Sequence, residues 1–103
     1  MGGKMATFIT TIKFTEKGIQ GIHESAKRAA AFKAAVEKMG VKVTGIYWTL
    51  GPFDGVLVFD APDDETATAA MLHLSSQGYV HTKTSRAFDS AEIENVVGIL
   101  GKK

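Results

Sequence analysis

The sequence predicts an α+β fold of four strands and three helices in the order β-α-β-β-α-β-α. Segments rich in β-branched and aromatic residues alternate with segments whose apolar residues recur every three or four positions. Capping and turn residues stand at the joints between them. The 103 residues suffice for one hydrophobic core but not for two.

Thr7 to Phe14 reads as the first strand, and Thr15 as the N-cap of a long helix. The helix stripe runs Ile19, Ile22, Ala26, Ala29, Phe32, Val36, Met39, one face at steps of three and four. Gly18 and Gly21 weaken its first turns, Ser25 restarts it, and Gly40 suits a left-handed C-cap. Val41 to Leu50 is the second strand, Gly51 to Phe53 the turn, and Gly55 to Phe59 a third strand, apolar on both faces as a central strand is. Pro62 with Asp63, Asp64 and Glu65 opens a second helix, buried through Ala67, Ala70, Met71 and Leu74 and ended by Gly78. Tyr79 to Phe88 is a fourth strand with polar residues on both sides, which places it at an edge. Asp89 and Glu92 form a capping arrangement for a short last helix through Ile93, Val96, Val97 and Leu100.

This order is the ferredoxin-like split βαβ plus a terminal helix, with sheet order 4-1-3-2 and two helices over one face. The other face is then bare. Two such faces packed together bury about 1,600 Å² in total, the area of a standard interface, so pairing into a homodimer or a higher homo-oligomer is expected. The expected domain spans residues 6–100, with 1–5 a flexible leader or expression remnant and 101–103 a tail. The Met1-Gly2 start does not read as a myristoylation signal, because Ala6 stands where that motif needs Ser or Thr.

Twelve basic residues against eleven acidic give a net charge of +1, too small a field to steer nucleic acid. The third strand also lacks the aromatics on which RNA-recognition motifs stack bases. No apolar run is long enough to span a membrane, and the absence of cysteine suits a reducing, cytoplasmic setting. No phosphate-binding glycine loop or nucleophile elbow is present, and His23, His73 and His81 have no metal-ligand spacing, so neither cofactor nor metal is expected.

The stretch Tyr47-Trp48-Thr49-Leu50-Gly51-Pro52-Phe53-Asp54 is unusual for a turn, since hairpin tips favour small polar residues. With Met5 to Thr10, the strand start Gly40 to Val43, the helix start Ala61 to Asp64 and Arg86-Ala87-Phe88, it resembles the GYD family over nearly the whole chain. Phe53 departs from the family's usual Tyr. The resemblance implies a dimeric α/β barrel and brings no established activity; related barrels include cofactor-free oxygenases, isomerases and proteins of unknown role.

With strands 1 and 3 taken as parallel, Tyr47, Trp48, Phe53, Asp54 and Arg86 gather at one edge of the sheet and Lys13, His81 and Asp60 at the other. Trp48 is either a stacking wall or a core or interface aromatic. Phe53 reads as a lid or an interface residue. Asp54 is a general base by a hydrophobic wall, a turn cap, or the partner of Arg86. His81 is a ligand-facing or a satisfied edge histidine. Lys13 and Asp60 read as a strand-end charge pair. Two functions follow. One is a pocket near the strand 2–strand 3 turn that binds or transforms a small, partly aromatic molecule, by a cofactor-independent oxygenase- or isomerase-like reaction if it is an enzyme. The other is a non-catalytic oligomerisation or regulatory module. The pocket reading needs a cavity with Asp54 or His81 facing it; the module reading needs these residues exposed or fully paired.

Overall fold

The computed structural model describes residues 4–101, so part of the expected leader and tail lies outside the described residues. Strand β1 (Ala6–Phe14) is followed by helix α1 (Glu16–Gln20), a 3₁₀ turn (Ile22–Glu24) and helix α2 (Ser25–Glu37). Then come β2 (Lys42–Trp48), β3 (Gly55–Ala61), α3 (Asp64–Ser76), β4 (Val80–Ala87) and α4 (Ser90–Ile99). The strands form one sheet in the order β2-β3-β1-β4, the predicted 4-1-3-2 read from the other side.

The local signals act where they stand in the sequence. Thr15 caps α1 by accepting the Gly18 N–H. Asp63 caps α3 through the Thr66 N–H. Asp89 and Glu92 close a reciprocal capping box on α4. The predicted long helix is three pieces, broken at Gly21 and restarted at Ser25. The break takes the first part of the predicted stripe out of line, and Ile19 and Ile22 are exposed while Phe32 and Val36 are buried.

Every strand pair is antiparallel, β1 with β3 included. That corrects the expected parallel course of strands 1 and 3. The helical crossover leaves β1 and β2 pointing the same way, and the tight β2–β3 turn then reverses β3. The ends of β1 and β2 and the starts of β3 and β4 therefore share one end of the sheet.

Alternation assigns the two faces. Phe8, Thr10, Leu57, Phe59 and Ala61 point into the core with Val43, and α2 and α3 cover them through Phe32, Val36, Ala67, Ala70 and Met71. The rings of Phe8 and Phe59 stack at 5.3 Å. Thr10 is fully buried, and its hydroxyl lies 2.8 Å from that of Thr84. The remaining positions face away from the helices: Thr7, Ile9, Thr11 and Lys13 on β1, and Val56, Val58 and Asp60 on β3. Gly45 and Tyr47 join them from β2, and His81, Lys83 and Ser85 from β4. The shortest dimension of the molecule, 18 Å, leaves room for one sheet and one helix layer.

Candidate functional site

A cavity of about 80 Å³ opens between the end of the sheet and helix α2. Its walls are chiefly apolar, with Ile12, Phe32, Leu57 and Leu74 at the back and Trp48 and Tyr79 at the sides. The end of β2 places Trp48 on the helix-facing side, where its Nε1–H donates to Ser25 Oγ at 2.9 Å. Asp54 stands just before β3 and is tied to β1 from both groups: its N–H donates to the Ile12 carbonyl at 2.7 Å, and its Oδ2 accepts the Phe14 N–H at 2.8 Å. Gln77 and Arg28 complete the polar lining with Ser25. The Arg28 guanidinium lies 4.0 Å over the Tyr79 ring and donates to the Gly21 carbonyl at 2.9 Å.

Of the residues singled out from the sequence, Tyr47, Trp48 and Asp54 border this cavity. The Tyr47 ring packs against Gly45 on the other face of the sheet, so Trp48 alone of the two supplies an aromatic wall. Phe53 is half-buried in the turn, its carbonyl accepting the Thr49 hydroxyl, and it is not part of the lining. Gly51 there has φ +145°, a conformation that favours glycine.

The antiparallel β1–β3 pairing separates Arg86 from Asp54 and removes the expected pair between them. Arg86 stands opposite Phe8 at the far end of the sheet, 4.4 Å over the Phe88 ring and 3.7 Å from Glu92, and donates to the Ala87 carbonyl. The Lys13–Asp60 pair fails for the same reason. Asp60 lies opposite Thr7 and accepts its hydroxyl at 2.7 Å, about 20 Å along β1 from Lys13. Lys13 sits across from His81 at the cavity end of the sheet, but both are exposed on the opposite face.

Sequence reasoning missed Arg28 and Tyr79. Their contact joins α2 to the residue before β4 across 51 positions of chain, and no local pattern marks such a meeting. Among the described residues no three His, Asp or Glu side chains converge on a point where a metal could bind.

Chemically, the cavity end of the sheet offers apolar walls, one carboxylate already engaged with a backbone N–H, and one guanidinium. Asp54 lines the cavity with one carboxylate oxygen engaged, as the pocket reading requires, whereas His81 is exposed on the opposite face of the sheet, as the module reading requires. The cavity is smaller than the roughly 300–1,000 Å³ of typical ligand pockets.

The GYD domain model matches residues 8–97. A protein of Thermus thermophilus named "Glutamine synthetase and cystathionine beta-lyase binding protein" is 37% identical over 90 residues, which cover 86% of this chain and 95% of the relative. No solved structure matches the chain. The chain belongs to the GYD domain family.

Proposed function

We propose, on the premise of that family membership, that the chain is a non-catalytic protein-binding module that acts as a homodimer and engages metabolic enzymes. The observation that carries the reading is the near full-length match to a relative named for binding glutamine synthetase and cystathionine β-lyase. The same two enzymes are the first partners to test here, in a cytoplasmic setting.

The surface supports such a role. Ile9 and Tyr47 are 39% and 60% exposed on the bare sheet face, with Val56 and Val58 between them. Leu50 is fully exposed at the β2–β3 turn, and α4 carries Ile93, Val96, Val97 and Ile99 without burying any residue, with Leu100 exposed at its C-cap. Exposed apolar area of this extent on a small domain marks an interaction surface. Sheet-to-sheet pairing into a dimeric α/β barrel would cover the first of these regions and leave the turn and α4 for other proteins. Reaction chemistry has less support, because one oxygen of Asp54 is already engaged with Phe14 and His81 faces away from the cavity on the other side of the sheet.

Calorimetric titration of the chain against purified glutamine synthetase and cystathionine β-lyase tests the reading. Saturable binding to at least one is expected, with affinity reduced at least tenfold by Leu50→Ser combined with Val97→Ser. Absence of binding to both enzymes overturns the proposed partners.

A further inference from the structure

We propose that the cavity between the sheet and α2 binds a free α-amino acid with a short apolar side chain, its carboxylate received by Arg28 and its ammonium group by Asp54. This goes beyond protein binding and does not depend on it.

Two charged residues line the cavity, one of each sign, in an otherwise apolar wall. They do not neutralise each other: the ion pairs among the described residues are Lys27–Glu24 and Arg86–Glu92. Both are held without any ligand. Stacking on Tyr79 and the bond to Gly21 fix the Arg28 guanidinium and use one of its five donors. The bond from the Phe14 N–H fixes the Asp54 carboxylate through Oδ2, leaving Oδ1 able to accept. Groups fixed in advance lose little freedom on binding, which favours affinity.

A ligand with only a carboxylate would cover Asp54 with nothing to pair it, and one with only an amine would do the same to Arg28. Burying an unpaired charge is costly, so the arrangement selects a molecule that carries both. Size narrows the class further. At about 80 Å³ the cavity is far below the roughly 300–1,000 Å³ of pockets for drug-sized ligands, so a small molecule with a short side chain suits it better than an aromatic one.

The test uses the chain's single tryptophan, whose indole N–H bonds to Ser25 at the cavity wall and gives one NMR cross-peak. L-valine is titrated into the ¹⁵N-labelled chain, in parallel with 3-methylbutanoate, which lacks the amine, and isobutylamine, which lacks the carboxylate. The Trp48 indole peak is expected to move saturably with L-valine and to report at least tenfold weaker binding of either analogue. Arg28→Gln should weaken valine at least tenfold while strengthening isobutylamine, which no longer covers an unpaired guanidinium. Asp54→Asn, which keeps an acceptor for the Phe14 N–H, should weaken valine equally while strengthening 3-methylbutanoate, which no longer covers an unpaired carboxylate. No saturable shift with L-valine or L-alanine overturns the proposal. So do equal affinities for the three compounds on the unaltered chain, a comparison that needs no variant to fold.

Discussion

Gly18 weakens a helix by its lack of a side chain, yet in the fold it is required. A Cβ there would collide with the Tyr79 carbonyl, the same oxygen that accepts the Thr15 N–H. Gly18→Ala, which by helix propensity alone should stabilise, is predicted to destabilise by about 1–3 kcal/mol, because backbone cannot yield to the added carbon. A lowered urea midpoint checks it; an unchanged or raised midpoint contradicts it. Asp54 presents the opposite case. Its place in the turn was evident in the sequence, but its acceptance of the Phe14 N–H depends on a strand 40 positions away. Asp54→Ala leaves that half-buried donor unsatisfied and should cost about 1–2 kcal/mol in the same measurement, and Asp54→Asn clearly less. Arg28 and Tyr79 were not legible at all, since their pairing exists only once α2 and the start of β4 lie side by side.

At the scale of elements, most of the chain was legible because its boundaries are set by residues acting over one turn. Thr15, Gly40, Gly78 and the Asp89–Glu92 box each do locally what their types favour. Strand direction is not local. The order of strands followed from the element pattern, but the relative course of β1 and β3 depends on counting reversals through a crossover and a hairpin, and an error there displaced Arg86 and Asp60 to the wrong ends.

Asp63 ties acid stability to one cap. Hydrogen bonds from Thr66, from its hydroxyl first and its backbone N–H second, hold the carboxyl below its ordinary range. A lowered folded-state value means the contribution is present above the unfolded value and is lost as pH falls through the folded one. Asp63→Asn should therefore narrow the stability difference between pH 7 and the region below about pH 4, seen in thermal midpoints across that range. An unchanged pH dependence would show that the cap does not contribute to it. Helix α4 has no buried residue, so its capping box should matter more to the helix than to the domain. Asp89→Ala is expected to remove hydrogen-exchange protection from α4 while shifting the domain's urea transition by no more than about 0.5 kcal/mol. A large loss of global stability would contradict this.

For the whole molecule, the balance of surfaces matters most. One face of the sheet builds the core with α2 and α3, and the other presents Ile9, Tyr47, Val56 and Val58 outward. The chain's net charge of +1 offers no repulsion to keep copies apart. We propose that the bare face holds two copies together and that the dimer is the unit that engages other proteins. Val58 lies opposite both Ile9 and Gly45, at the middle of this face, where a carboxylate would be buried unpaired in a dimer and harmlessly solvated in a monomer.

Sedimentation velocity of the fluorescently labelled chain, alone and with purified glutamine synthetase, tests this most directly. A dimer of the 11.0 kDa chain that co-sediments with the enzyme is expected at micromolar concentration, and a Val58→Asp chain that is folded, monomeric and no longer co-sediments. A wild-type chain that sediments as a monomer and stays apart from the enzyme would contradict it.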